Sequence, residues 1–439
     1  MRPVTLAAVL LVALCSAASA KESAQQSTAA LLPQITAWRR DLHQHPELSN
    51  REVRTSKFVA SELKKLGYEV RTGIAKTGVI GTMKFGKPGP KLAIRADMDA
   101  LPVTEEVDLP FRSTAKGEYI GKTVGVMHAC GHDAHVAMTL GVAEALAKRK
   151  NELAGEVMFI FQPAEEGAPP GEEGGAPLMV SDGVFRDFRP DAVIGMHVVS
   201  FLNVGDVSVR EGGAMASSDT FHIVVHGRQS HGATPWKGID PIVTASDIVM
   251  SAQTIVSREL DLNANPAVVT FGVFNGGERF NIVPDKVELY GTVRAFDEGM
   301  RRQALTSLGR IAQNVAEAHG ATVDLDIPKP GADPFHSNPV NFNDPALTKR
   351  VRASLVAANG ADRVSDGDRW MASEDFPQLG NSVPAPSAYF LVGATPKGQD
   401  AKTAPSNHSP KFFRDEGALA VGTQSMLKIA LDFLGSGGR

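Results

Sequence analysis

Hydrophobic and polar positions repeat with two different periods along the chain, and they predict helices set between buried strands. Apolar residues recur on one face from Leu31 to Leu42, which predicts a helix over residues 28–45 that ends at Pro46. Another helical pattern joins Val136 and Leu146. Strand-like runs lie at 78–85, 91–95, 157–161 and 192–196. Strands that alternate with helices are typical of an α/β domain with a largely parallel sheet.

From about residue 218 the pattern changes. The order strand, helix, strand, strand, helix, strand is predicted over residues 221–226, 239–260, 267–274, 286–295, 301–319 and 321–327. This β-α-β-β-α-β order is that of a ferredoxin-like α+β sandwich. The α/β pattern resumes after Pro328 and ends in a helix over 417–434. We therefore expect an α/β catalytic domain with a mixed, largely parallel sheet flanked by helices, formed by residues 21–215 and 329–439, with the ferredoxin-like domain, residues 216–328, inserted.

The first 20 residues have the features of a signal peptide. Arg2 precedes an apolar run over 4–14, and Ala18-Ser19-Ala20 has the small-x-small form of a cleavage site. The run is too short for a permanent transmembrane helix. The sequence thus predicts an exported protein, periplasmic or secreted, without a membrane partner.

Charge and cysteine content narrow the choice of function. The 439 residues carry 45 Lys and Arg against 49 Asp and Glu, a net charge of −4 that gives no reason to expect a nucleic-acid partner. Cleavage after Ala20 would remove Cys15 and leave Cys130 as the only cysteine. A lone thiol in an oxidising compartment is expected to be buried, catalytic or bound to metal.

The densest group of chemically capable residues is the segment MHACGHDAH, 127–135. Three histidines, Cys130 and Asp133 lie within it, directly before a predicted helix. On an extended segment Cys130 and His132 point to the same side, so they can hold one metal ion or two neighbouring ones. The alternative is a polar turn with a buried cysteine.

A pair of carboxylates, Glu165 and Glu166, follows the strand at 157–161. Catalytic groups in open α/β sheets gather at the carboxyl ends of strands. Adjacent carboxylates there can divide two tasks, one binding a metal and the other accepting a proton from the attacking water. The alternative is a solvated acidic loop.

Single polar residues at other strand ends and loops are ambiguous by themselves. His197 ends the strand at 192–196, and His408 lies in a loop before the last helix. Each fits a structural role as well as a ligand role. Asp97 and Asp99 follow the strand at 91–95, where they either orient a metal-binding histidine or are surface acids.

The inserted domain carries three further candidates. His231, in a loop of small residues, can donate a hydrogen bond to a developing oxyanion. Asn281 and Arg294 can bind a substrate carboxylate, since arginine offers a planar two-pronged donor. A turn asparagine and a surface arginine are the alternatives.

Taken together, these blocks resemble the metal-dependent amidohydrolases of the aminoacylase and carboxypeptidase metallopeptidase family, in the branch of hippurate hydrolases, N-acyl-amino-acid amidohydrolases and auxin-conjugate hydrolases. The resemblance spans nearly the whole chain, and its most specific blocks are HACGHD and PAEEG. The carrying stretches are RRDLHQHPELS (39–49), RADMDALPVTEE (95–106), MHACGHDAH (127–135), FQPAEEG (161–167), GMHV (195–198), SHGATPWKGIDP (230–241), NIVPD (281–285), SEDF (373–376) and HSP (408–410).

The resemblance implies two divalent metal ions per subunit, zinc, manganese or cobalt. Its five implied ligands are Cys130, His132, Glu166, His197 and His408. It implies Glu165 as general base and proton shuttle, and an inserted domain that acts as a lid and mediates homodimerisation. It implies that His231 completes an active site, often that of the partner subunit, and that Asn281 and Arg294 hold the substrate carboxylate.

The implied reaction is hydrolysis of an N-acyl amino acid, hippurate-like or similar, or of a short peptide, to a carboxylic acid and a free amino acid. A metallo-carboxypeptidase or dipeptidase is the nearest alternative. Two other classes remain: a cysteine hydrolase with Cys130 as nucleophile, and a non-catalytic periplasmic protein that binds metal or peptide. Residues 112–123 and 167–177 are longer than the common family pattern, and we expect them to line the mouth of the pocket.

Overall fold

The computed structural model describes residues 23–329 and 337–435. The predicted signal peptide, residues 1–20, lies outside them. The helices are α1 (Ala24–Gln44), α2 (Val53–Lys65), α3 (His132–Lys148), α4 (Gly175–Ser181), α5 (Pro241–Thr254), α6 (Glu298–Ala318), α7 (Pro345–Asn359), α8 (Pro377–Asn381) and α9 (Gly417–Gly435). A π-helical turn, Ile255–Glu259, extends α5.

The strands up to the smaller sheet are β1 (Glu69–Ile74), β2 (Gly78–Lys84), β3 (Lys87–Asp97), β4 (Lys116–Tyr119), β5 (Lys122–Gly125), β6 (Ala154–Gln162), β7 (Ala192–Asn203), β8 (Val207–Ser208) and β9 (Gly212–Met215). The remaining strands are β10 (Ser218–His226), β11 (Ser230–His231), β12 (Ala267–Asn275), β13 (Ile282–Val283), β14 (Lys286–Ala295), β15 (Thr322–Asp326), β16 (Ser337–Asn338), β17 (Asn341–Asn343), β18 (Val364–Ser365) and β19 (Ser387–Thr395).

The larger sheet has the strand order β1-β2-β6-β3-β7-β19-β8-β18. Its centre is parallel, since β3 pairs with β6 and β7, and β7 pairs with β19, in the same direction. The strands β1 and β2 join it antiparallel. The predicted mixed, largely parallel sheet flanked by helices is therefore confirmed. Parallel strands are covered on both faces, and separate apolar clusters pack on this sheet, one of them including α1, α3 and α9.

The smaller sheet has the order β12-β14-β10-β15, with every pair antiparallel. The helices α5 and α6 pack against it, and residues from these elements form a separate core. This arrangement matches the predicted ferredoxin-like topology. The short strand β16 also pairs with β10, so residues after 328 contribute to the same sheet. The roles of this unit as a lid and in dimerisation stay predictions.

Several elements differ from the sequence prediction. The strand predicted to end at Met196 continues to Asn203, so His197 lies inside β7 and does not end it. The helices α2 and α7 and the central strand β19 were not predicted. The strand β19, SAYFLVGAT, is buried along most of its length, so its residues do not alternate between buried and exposed positions. It also follows a long loop-like region, and for these two reasons it was missed. None of the helices in residues 23–329 and 337–435 has both the length and the apolar character needed to cross a bilayer.

A buried ion pair anchors the first strand of the smaller sheet to its second helix. Asp219 of β10 accepts hydrogen bonds from Arg301 of α6, at 2.8 Å to Nε and 2.9 Å to Nη2. Both side chains are almost fully buried. Arg301 also pairs with Glu298, whose side chain is 36% exposed.

We expect Asp219→Ala to lower the free energy of unfolding of the smaller domain by about 3–5 kcal/mol, because it leaves a buried guanidinium without its carboxylate. Glu298→Ala, the matched control on the same arginine, should cost no more than about 1 kcal/mol. Urea unfolding followed by far-UV circular dichroism measures both. Equal losses for the two variants would show that the buried pair is not the stronger contact.

Candidate metal centre and active site

The turn before α3 depends on a glycine. Gly131 has a φ of +111°, and a Cβ at this position would lie 2.3 Å from a methyl carbon of Val198. Only glycine meets both requirements. Cys130 and His132, on either side of it, are thereby presented at the carboxyl edge of the larger sheet.

The thiol of Cys130 lies between two histidines. Its Sγ is 3.2 Å from Nε2 of His197 and 3.2 Å from Nε2 of His408. The same Nε2 of His408 is 3.2 Å from Oε1 of Glu166. Cys130, Glu166 and His408 each offer a donor atom within 4.8 Å of one another, and so do Cys130, His132 and His197. The structure thus brings together all five residues predicted as ligands.

His132 has one ring nitrogen held and the other without a hydrogen-bond partner. Its Nδ1 is 3.2 Å from Oδ1 of Asp99. Its buried Nε2 makes no hydrogen bond within the described residues, and it lies 3.8 Å from Glu165 and 3.9 Å from Glu166. In His197 the backbone carbonyl of Val198 binds Nδ1 at 2.7 Å, which likewise leaves Nε2 for a ligand role. Such outer contacts fix the tautomer of metal-binding histidines.

Asp99 connects the two halves of the cluster. Besides His132, its carboxylate accepts the hydroxyl of Ser49 at 2.7 Å and the backbone N–H of Glu166 at 3.0 Å. Its placement agrees with the orienting role predicted for it. Asp97 instead lies 2.5 Å from Nδ1 of His135.

His135 is engaged at both ring nitrogens. Besides the contact with Asp97, its Nε2 accepts the backbone N–H of Val198 at 2.9 Å. His135 therefore has no free lone pair for a metal ion and serves to fix the neighbouring strand. His132 and His135 thus have separate roles, which their spacing in the segment 127–135 does not reveal.

The loop that carries the two glutamates is held by a buried acid that sequence reasoning missed. Ala164 has a left-handed φ of +52°, and its N–H donates to Glu52 at 2.9 Å. Glu52 also accepts the N–H of Asn50 at 3.1 Å and the hydroxyl of Thr77 at 2.6 Å. An acid just before an amphipathic helix resembles an ordinary capping residue, so its sequence position gives no signal of this role.

Arg95, also missed, is the centre of a buried network of charges. Its guanidinium donates to Asp97 at 2.5 Å, to Glu374 at 2.7 Å and to Asp375 at 3.2 Å. It also donates to Gln162 at 2.9 Å. The acids at 374 and 375 belong to the block SEDF, and that block was the only signal for them.

The cluster holds more negative than positive charge. Burial, followed by the carboxylates of Glu374, Glu166 and Asp375, raises the pKa of Glu165 well above its usual range, and Arg95 only partly opposes this. Burial also raises the pKa of Asp375 to about 7. Although burial opposes it, the carboxylates of Asp97 and Asp99 raise the pKa of His132 to about 10. A buried excess of carboxylates beside unpaired histidine nitrogens and a thiol fits divalent cations.

A cavity of about 280 Å³ opens over the cluster. Glu165, Glu166, Cys130, His197 and His408 border it. Its other wall is apolar, and it is formed by Phe201, Met215 and Trp370. The rings of Phe201 and Trp370 lie edge to face, with centroids 5.2 Å apart.

Asn407 fixes the loop that presents His408. Its Nδ2 donates to the carbonyls of Cys130 and Val198, each at 3.0 Å, and its Oδ1 accepts the N–H of Ser200 at 3.1 Å. One side chain thereby ties three segments that carry cluster residues. Its place directly before His408 is the only sequence signal of this function.

The three candidates of the smaller domain are not brought to this cavity. His231 is exposed in β11, which pairs with β13. Asn281 lies beside it, since its carbonyl accepts the N–H of Gly232 at 2.8 Å. Arg294 is in β14, where burial lowers its pKa and Asp219 opposes that shift. None of the three borders the cavity over the cluster.

The environment of Cys130 does not suit a nucleophile. The residue is 6% exposed, and burial, with the carboxylates of Glu166, Glu165 and Asp97, raises the pKa of its thiol well above the usual value. A nucleophilic cysteine requires the opposite shift. The alternative of a cysteine hydrolase therefore finds no support in this geometry.

Comparison with known proteins identifies relatives over most of the chain. A family model described as peptidase family M20/M25/M40 matches residues 93–432. Thermostable carboxypeptidase 1 of Saccharolobus solfataricus is 38% identical, covering 90% of this chain and 94% of that protein. The N-acetyl-L-cysteine deacetylase of Bacillus subtilis is 35% identical, covering 95% and 92%. A solved Bacillus subtilis protein, described as a dinuclear metal binding peptidase of the M20 family, is 33% identical with a TM-score of 0.75, covering 92% and 99%.

The role of Glu52 predicts a pH dependence of stability. Burial, followed by the charge of Asp99, raises its pKa in the folded chain to about 7, whereas an unfolded glutamate titrates at about 4.3. The stability that the protonated acid contributes is thus present below about pH 4 and is lost as the pH rises towards 7.

Glu52→Gln keeps the acceptor for Ala164 but has no carboxyl group to titrate. We expect the unfolding free energy of this variant, relative to that of the parent, to increase by up to about 3 kcal/mol from pH 5 to pH 8. Glu52→Ala removes the acceptor, so it should be less stable than Glu52→Gln at both values. Urea unfolding at the two pH values provides the measurement. A constant difference between Gln variant and parent would contradict the raised pKa.

Proposed function

This chain belongs to peptidase family M20/M25/M40, and we propose that it cleaves the amide bond of N-acyl amino acids, hippurate-like or similar, at a pair of divalent cations. It is a hydrolase of the amidohydrolase and metallopeptidase class. The observation that carries the finer proposal is the position of Glu165. Its carboxylate borders the cavity directly beside the donor cluster, with 9% of the side chain exposed.

The proposed ligands are Cys130, His132, Glu166, His197 and His408. The donor set mixes one thiolate, one carboxylate and three imidazoles, which suits zinc, manganese or cobalt. When bound, the cations supply a Lewis acid that polarises the scissile carbonyl and makes water more acidic. The surrounding chain contributes orientation through Asp99 and Asn407.

Glu165 is the proposed general base. Its carboxylate borders the cavity, and Nε2 of His132 lies 3.8 Å from its Oε2, so it is placed to meet the attacking water beside the donor cluster. It takes a proton from that water as the new C–O bond forms. It then gives the proton to the leaving amine nitrogen as the C–N bond breaks. The products are a carboxylic acid and a free amino acid.

The substrate would extend from the cluster in two directions. The apolar wall of Phe201, Met215 and Trp370 suits an uncharged, apolar substrate group. Asn281 and Arg294 are proposed to bind the α-carboxylate, with His231 supplying a hydrogen bond to the carbonyl oxygen in the transition state. Because these three residues are absent from the cavity of their own chain, we propose that a second copy contributes them.

The surface of the smaller domain favours such a homodimer. The edge strand β12 exposes Val273 and Phe274, and α5 exposes Val243 and Met250. An edge strand with exposed apolar side chains invites pairing with another chain. A dimer formed there would place the smaller domains of two copies together.

A carboxypeptidase or dipeptidase activity is the second candidate, and the similarity to a carboxypeptidase favours it. A non-catalytic binding protein is disfavoured, because Glu165 stands beside the cluster. We also propose that the protein is exported, on the basis of the signal-peptide pattern at residues 1–20.

Adjacent glutamates offer a paired test of the mechanism. We expect Glu165→Gln to lower kcat by about 10²–10⁴-fold while it retains its metal content, because it removes only the proton shuttle. Glu166→Gln should instead weaken metal binding by at least about 10-fold. Activity on N-acyl amino acids and dipeptides is measured as isolated, after chelation, and after zinc, manganese or cobalt is restored, with metal content by mass spectrometry. Activity that survives complete metal removal would overturn the mechanism.

A second test asks whether His231 acts across a dimer. His231→Ala and Glu165→Gln should each be nearly inactive alone. Subunit exchange between them forms about half heterodimers with one intact site each, so about a quarter of parent activity should return. If His231 served its own subunit, every heterodimer site would carry a defect and the mixture would remain inactive.

A further inference from the structure

A second pocket adjoins the cavity over the cluster at Glu166. It has a volume of about 340 Å³, within the range of about 300–1,000 Å³ typical of small-molecule sites. Glu166 borders both spaces. Ser49, which donates to Asp99, also lines the second pocket. The pocket therefore adjoins the proposed reaction centre, with which it shares the side chain of Glu166.

Both chain extensions meet at this pocket. The first forms the hairpin β4–β5, whose residues 118–121 line one side. The second is the loop after the two glutamates, which contributes Gly167, Pro169 and Pro170. Leu48, Leu101 and Pro102 form the floor. The hairpin is held in place, since Tyr119 packs on a small buried cluster that includes Leu48.

The tip of the hairpin carries a residue in an unfavourable conformation. Ile120 and Gly121 form the two-residue turn, with φ values of +49° and +67°. Turns with two positive φ angles favour asparagine and glycine, and a β-branched residue there is strained. Ile120 is nevertheless 65% exposed and borders the pocket. Strain of this kind clusters at ligand-binding sites.

The charges of the pocket indicate which half of a substrate it accepts. Its lining includes the carboxylates of Glu118 and Glu166. Its one lining cation, Arg51, is paired with Glu172 at 2.5 Å. Since Glu166 is a proposed metal ligand, Glu118 is the remaining carboxylate that would repel an α-carboxylate, whereas an uncharged apolar chain would meet Leu48, Leu101 and Pro102.

We propose that this pocket, between the hairpin β4–β5 and the loop 167–170, binds the distal part of the substrate's acyl group and makes the enzyme selective for long or bulky acyl groups. The inference rests on the proposed function. Ile120 is then a specificity-determining residue that contacts the acyl chain.

The test compares parent, Ile120→Asn and Leu262→Asn on N-acetyl-, N-butanoyl-, N-hexanoyl- and N-octanoylalanine. In the parent, kcat/KM should rise with chain length, by up to about fourfold per buried methylene. In Ile120→Asn the octanoyl-to-acetyl ratio should fall at least tenfold. Leu262 is a half-exposed leucine of the smaller domain that does not line this pocket, so its variant should keep the parent ratio.

Asparagine suits the turn at 120 better than isoleucine, so Ile120→Asn should unfold at the same or a higher temperature than the parent. A fall in the octanoyl-to-acetyl ratio of kcat/KM then reports lost contact with the acyl chain and not misfolding. An unchanged ratio would overturn the proposal. A second series, the N-acetyl derivatives of alanine, leucine and phenylalanine, varies the amino acid instead. If Ile120→Asn changed kcat/KM selectively within this series and not within the acyl series, the pocket would belong to the amino-acid side chain and the proposal would be overturned.

Failure of the proposed function is recognised separately. If the parent hydrolyses none of these compounds, calorimetry of N-octanoylalanine binding replaces the kinetic measurement. Ile120→Asn should then weaken binding at least tenfold relative to N-acetylalanine. Equal binding to parent and variant would overturn the subsite whatever reaction the enzyme catalyses.

Discussion

The buried guanidinium of Arg95 is the interaction on which the geometry of the site depends. It joins β3 to the end of β6 through Gln162 and to the loop after residue 372 through Glu374 and Asp375. Asp375 in turn accepts the N–H of Ala176, which lies in the first turn of α4, at the end of the second extended loop. One guanidinium thus holds several acids together, although the repulsion between these acids would otherwise separate the chain segments that carry them. The remaining negative charge makes this edge of the sheet a site for added cations.

The dependence of the site on buried, long-range contacts explains why some of its residues could be predicted from the sequence and others could not. Cys130 and His132 stand in a dense segment before a predicted helix, and Glu165 and Glu166 follow a predicted strand, so each pair was a candidate by itself. That the two segments form one site was implied by the family resemblance. Arg95 and Glu52 were not readable, because a single charged residue in a strand or before a helix is ordinary in isolation. Their importance arises from burial and from partners more than 60 residues away, which no local pattern encodes.

The fold shows a similar division. Strands in regular alternation with helices were predicted, and the ferredoxin-like order followed from six elements in sequence. The central strand β19 was missed although it pairs with β7 along most of its length. Its neighbour in the sheet lies nearly 200 residues earlier. Pairing at that range is decided by burial in the assembled sheet and not by propensity.

In the proposed mechanism the two domains divide the chemistry, which would tie activity to assembly. The larger domain holds the acids, the histidines and the thiol rigidly, through hydrogen bonds that fix each ring and each loop. The smaller domain holds His231 and Asn281 at an exposed edge, away from the cavity of its own chain. Under that proposal these groups would reach the substrate only after domains or subunits come together. A site that is complete only when domains or subunits have come together is open to water before substrate binds. Once closed, it excludes water, which strengthens the electrostatic stabilisation of the transition state. The separation of these residues is therefore consistent with a reaction that begins in an open cleft and proceeds in a closed one.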